Sequence, residues 1–137
     1  MTYVEENGNE FYQSLGKLFF SVAMADKKVR PAEVKRLKED VKKYWLSVDD
    51  LEDGFGTDAA YQIEIVFDWL QQEEKNSWWC YGEFEDFYKN NPERFDQKIK
   101  GLIWKTADGI ASSFSGKNKS ELVLLAKLKM LLQGKGA

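Results

Sequence analysis

Histidine is absent from the 137 residues, and cysteine occurs once, as Cys80. Without imidazole the chain lacks the usual general base near neutral pH, the histidine of Ser-His-Asp and Cys-His arrangements, and the commonest zinc ligand. A lone cysteine forms neither an intrachain disulfide nor a CxxC pair, which suits a reducing compartment. Phosphate-binding fingerprints are missing too: Gly54 and Gly56 fall within DDLEDGFGTD, whose carboxylates repel phosphate. No spacing marks a pair of carboxylates placed for acid/base work, so no enzymatic reaction is expected.

Long apolar runs are also missing. The longest stretch of apolar and small residues, around Leu18 to Ala25, is far short of the roughly 20 residues that cross a bilayer as a helix. The opening MTYVEENGNE is polar and acidic, without the basic and apolar regions of a secretory signal. These features predict a cytoplasmic protein whose membrane association, if any, goes through a partner. Sustained alternation with β-branched residues is scarce, which argues against strands.

What is present is apolar and aromatic. The apolar share is 43%, with five Trp and nine Phe, enough for one well-packed domain spanning 1–137. Charge is segregated: Lys and Arg outnumber Asp and Glu by eight to four over 26–48, are outnumbered three to fourteen over 49–96, and prevail eight to two over 97–137. The acidic middle disfavours general nucleic-acid binding.

Helical periodicity is clear. Phe11, Leu15, Leu18, Val22 and Ala25 form one stripe on a helix from about Asn9 to Ala25, and Val34, Leu37, Val41 and Tyr44 form another from Pro31 to Trp45. A short turn between them predicts near-antiparallel neighbours. A loop over Asp49–Asp58 leads to a third helix, Ala59–Gln72, whose apolar residues surround it and predict a central position. Residues Trp78 to Tyr88 predict a short helix and turns, Pro92 starts a fifth helix, and a last helix runs from Ser120 to Leu132, apolar on most sides and so buried by its own bundle or by a partner. The expected fold is all-α, a compact bundle of about six to seven helices.

Two segments repeat a helix-turn-helix pattern: MADKKVRPAEVKRL from Met24 and TADGIASSFSGKNKSELVLL from Thr106. Each has an Ala-Asp pair closing one helix and a Glu opening the next. With Ala25-Asp26, Pro31 and Glu33 in the first copy, and Ala107-Asp108-Gly109 and Ser120-Glu121 in the second, the chain resembles the tellurite-resistance protein B (TerB) family over most of its length. It departs at Lys27, where the family usually has Gly, at Arg30, where a Ser cap is common, and in the insert IASSFSGKNK. The resemblance implies a TerB-like bundle of about seven helices, a bacterial stress-response or tellurite-resistance setting with membrane-linked complexes, and acidic residues suspected of binding metal.

Asp26 and Asp108, each read as ending a helix, sit where the macrodipole disfavours negative charge and need a compensating partner: turn N–H groups, nearby Lys27, Lys28 and Arg30, or a cation. Glu33 and Glu121 at third helical positions are explained by capping boxes. If the hairpins pack about a pseudo-twofold axis, Asp26, Glu33, Asp108 and Glu121 converge into an all-oxygen site suited to Ca²⁺ or Mg²⁺. The run Asp49 to Ala60 fails as an EF-hand, because Leu51 and Ala60 occupy ligand positions; Asp49, Asp50, Glu52 and Asp53 read as a solvated acidic loop or a weak cation or basic-partner surface. Trp78, Trp79 and Tyr81 are the candidate partner-binding residues within an aromatic group that core filling also explains. The expected function is a binding domain for a protein partner or a divalent cation; the alternative is a structural interaction or homodimerisation module without metal.

Overall fold

The computed structural model describes residues 3–48, 59–113 and 118–134. Six α-helices follow one another: α1 (Tyr3–Ala23), α2 (Pro31–Asp40), α3 (Gln62–Glu73), α4 (Ser77–Asn90), α5 (Gln97–Ser112) and α6 (Lys119–Leu132). A π-helical turn, Val41–Trp45, continues α2, and single 3₁₀ turns at Ala59–Tyr61 and Pro92–Arg94 precede α3 and α5. Among the described residues there is no strand, and the helices form an all-α compact bundle.

The central element is α1. Phe11, Tyr12, Leu15, Leu18, Phe19, Phe20, Val22 and Ala23 are all buried, because α3, α4, α5 and α6 pack around it. Gly16 permits the closest approach: a Cβ there would stand 2.8 Å from the Ile63 carbonyl oxygen of α3. Ser77 Oγ donates to the Ser21 carbonyl at 2.6 Å and fixes the start of α4 on α1. The third helix, expected at the centre, instead keeps Ile65 and Trp69 half exposed. Its remaining apolar side chains, Ile63, Val66, Phe67 and Leu70, pack against α1 and the core.

The aromatic segment forms a full helix of fourteen residues rather than a short helix with turns, because Asn76 caps it by accepting from the Trp79 N–H at 2.9 Å. Its inner face, Tyr81 and Phe84, is core. Phe95 packs among Phe11, Phe84, Phe87 and Tyr88 with ring centroids 4.7–6.1 Å away. Pro92 opens only the 3₁₀ turn; α5 begins later, capped by Asp96 Oδ1 accepting from the Ile99 N–H at 2.9 Å.

α5 corrects the reading of the second hairpin. It runs four residues past Asp108, so Ala107-Asp108-Gly109 lies inside a helix and closes nothing. The small residues serve packing between α2 and α5, which is more extensive than that between α2 and α1. A Cβ on Gly109 would meet the Arg36 guanidinium at 2.6 Å, and Thr106 Oγ1 accepts from the Trp45 indole N–H at 3.0 Å. The acidic loop Asp49–Asp58 and most of the insert's centre lie outside the described residues.

Candidate functional site

The chain leaves α1 through a turn in which Lys27 adopts φ +68°. That is the left-handed region, where a Cβ is strained and glycine is favoured. The turn folds Asp26 back on itself: Oδ1 accepts from the Lys28 N–H at 3.2 Å, and Oδ2 accepts from Arg30 Nη1 at 2.7 Å. The same Oδ2 accepts from Asn118 Nδ2 at 2.8 Å, across 92 positions of sequence. Asp26 therefore ties the first hairpin to the cap of α6.

Both following helices open on a glutamate bonded back to its cap residue. Arg30 N–H donates to Glu33 Oε1 at 2.7 Å, and Asn118 N–H donates to Glu121 Oε1 at 3.0 Å. At α6 the box is complete, because Asn118 Oδ1 also accepts from the Glu121 N–H at 2.9 Å. Arg30 has no acceptor to return the bond, so α2 carries only the glutamate half.

The two glutamates then meet. Glu33 is 1% exposed and Glu121 2%, and Glu121 acts on the Glu33 carboxyl both through its charge and through side-chain hydrogen bonding. Two carboxyls hydrogen-bond only if one holds a proton. Burial pushes the Glu33 carboxyl up to about 7, the N–H of Arg30 opposes the rise, and Glu121 and Asp26 add to it. The result is a clasp of three carboxyl groups, one guanidinium and one amide between the N-termini of α2 and α6.

Three of the four acidic residues expected to converge thus do so, in Asp26, Glu33 and Glu121. Asp108 is half-buried within α5, its carbonyl accepting from Ser112 Oγ at 2.8 Å. Among the described residues no group of three or more Asp, Glu, His or Cys side chains is arranged to hold a metal ion. Both oxygens of Asp26 and one oxygen of each glutamate accept from protein donors. Sequence reasoning names Arg30 and a turn N–H among the partners of Asp26, as found, but overlooks Asn118. Asn118 carried a signal, since an Asn three residues before Glu121 spells a capping box.

A second constellation lies on the outside. Trp69, Trp78 and Trp79 are 50%, 46% and 49% exposed, and Ile65, Leu122, Val123 and Met130 are open to a similar degree. Two lysines connect them: Lys75 Nζ stands 5.8 Å and 5.7 Å from the Trp69 and Trp79 ring centroids, and Lys127 Nζ stands 5.4 Å and 5.5 Å from those of Trp78 and Tyr81. The end of α3, the start of α4 and the outer side of α6 thereby share one face. Of the three candidate partner-binding residues, Trp78 and Trp79 lie open on it, whereas Tyr81 is core. The outward part of α6 is not buried by the bundle and mixes lysines with apolar side chains.

Cys80, between these rings in sequence, is buried, and burial pushes its thiol up to about 11, far from the thiolate a nucleophile needs. No helix among the described residues is long and apolar enough to cross a membrane. Set against protein-family models, curated proteins and solved structures, the chain matches none of them, and its functional reading rests on the clasp and the tryptophan face.

Proposed function

We propose that this chain is a non-enzymatic binding domain that takes a protein partner on its tryptophan face, with the acidic clasp holding the helices that present it. The carrying observation is that three tryptophans, met by Lys75 and Lys127, stand about half exposed, with Ile65 of α3 and Val123 and Met130 of α6 open to a similar degree. Contiguous apolar surface of this kind on a small helical protein marks an interaction site. Tryptophan is also among the residues that dominate binding energy when a partner desolvates it. The TerB-like resemblance supplies the wider setting of this proposal, a bacterial stress-response assembly. The absence of histidine and the raised Cys80 thiol support the non-enzymatic part of the reading.

Display selection with a library of random helical peptides tests it. Peptides selected on the parent are expected to lose at least about tenfold in affinity for Trp78→Ala and Trp79→Ala variants. Peptides that bind parent and variants equally place recognition elsewhere and overturn the proposal.

A further inference from the structure

The partner's chemistry follows from the charges set among the rings. Lys75 lies between two tryptophans and Lys127 over Trp78 and Tyr81, and among the described residues neither is paired with a carboxylate. Lys17 and Lys89 find acids in Glu83 and Glu85, whereas Lys43, Lys100, Lys105 and Lys129, like Lys75 and Lys127, lie over rings. α6 sharpens the bias. Beside Lys127 its outward side chains are Lys119, Val123 and Met130, whereas Lys129 turns to Trp104 of α5, and its one acid, Glu121, is turned into the clasp. The face is apolar and cationic at once, with its ammonium groups held by ring faces instead of counter-ions.

We propose that the partner is an acidic amphipathic helical segment of another protein, laying aliphatic side chains against Trp78, Trp79 and α6 and carboxylates against Lys75 and Lys127. This rests on the interaction reading above. Such a segment satisfies both halves of the surface, since apolar anchors at helical spacing bury the rings while flanking carboxylates meet the stationed cations. A second copy of the same face does not: a two-fold interface sets like patches together, and the α6 lysines would oppose their own counterparts.

The same peptide display, extended to Lys75→Glu and Lys127→Glu, is the test, with retained far-UV helicity showing that each variant folds. The selected peptides are expected to be rich in Asp and Glu with aliphatic residues at three- and four-residue spacing. They should lose about tenfold or more in affinity on either lysine reversal, and weaken as salt is raised. Binding that survives both reversals yet falls on Trp79→Ala overturns the acidic partner and leaves the interaction reading standing. Binding indifferent to both the lysines and the tryptophans removes both. Cosedimentation of the parent with phosphatidylcholine–phosphatidylglycerol vesicles, lost in Lys127→Glu, would assign the face to a membrane instead. A parent dimer in light scattering that Trp79→Ala dissolves would assign it to a second copy.

Discussion

The clasp and the tryptophan face solve opposite problems with similar means. At the clasp, polar groups taken out of water are answered one by one: Asp26 by Lys28, Arg30 and Asn118, and each glutamate by a cap N–H and by the other. On the tryptophan face, apolar rings are left in water, and only lysine ammonium groups lie over them. A closed network of this kind adds rigidity and offers no free valence for a newcomer. An open apolar face does the reverse, because its stabilisation is realised only when something covers it. Substitutions at the clasp should therefore register in stability, and substitutions on the face in binding.

The largest effect that would break this contrast is at Glu121. Glu121→Ala leaves the Asn118 N–H and the Glu33 carboxyl without their partner in a buried site, and a loss of about 3 kcal/mol in urea unfolding is expected. A loss below about 0.5 kcal/mol would show that water already serves these groups.

Titration follows. The Glu33 carboxyl is raised from 4.5 to about 7 on folding, so between those values the native state holds a proton that the unfolded chain has released. The corresponding stability is complete below about 4.5 and is lost as pH rises through 7, a decline on the order of 3 kcal/mol across these two and a half pH units at ~1.4 kcal/mol for each. Glu33→Gln, whose amide can donate to Glu121 while its oxygen accepts from Arg30, should flatten that slope in unfolding curves collected from pH 4.5 to 8. A parent curve already flat across this range would deny the shared proton. Millimolar Ca²⁺ or Mg²⁺ should leave the melting temperature unchanged at pH 6, and an increase would return a cation to the clasp.

A smaller gain is expected at Lys27. Lys27→Gly relieves a left-handed backbone and should stabilise the fold by up to about 1 kcal/mol in thermal unfolding. Destabilisation there would mean that the lysine side chain makes up for its strain. Smallest of all is the stability change for Trp79→Ala, below about 1 kcal/mol, since half the ring is already in water. A larger loss would make the face part of the core.

Much of the fold could be read from residue spacing, because one-sided apolar stripes have a single use. Phe11, Leu15, Leu18 and Val22 are buried as their spacing predicts, and Pro31 opens α2. Spacing misleads where an apolar residue has two uses. Trp69 looks like core in sequence and Trp78 and Trp79 fit either core or a partner surface; the position of their neighbours leaves all three facing outward. The clasp was half visible. Local capping identified Glu33 and Glu121, but the bond from Asn118 to Asp26 depends on tertiary packing that brings distant turns together. Ala107-Asp108-Gly109 misled for a related reason: glycine inside a helix is unfavourable by about 1 kcal/mol, yet here it admits Arg36, whose Nε donates to the buried Asp40 at 3.2 Å. Packing overrode propensity.

The π-helical turn at Val41–Trp45 has its own geometric effect. Leu46 N–H reaches back five residues, to the Val41 carbonyl at 3.0 Å, instead of four. One extra residue in the winding advances the side chains beyond it by roughly 100° around the axis. Trp45, four residues after the buried Val41, stays on the inward side through the turn, and its indole reaches Thr106. The change of phase therefore falls on the chain that follows, while one bond from an indole to a threonine moors the far end of this helix to α5.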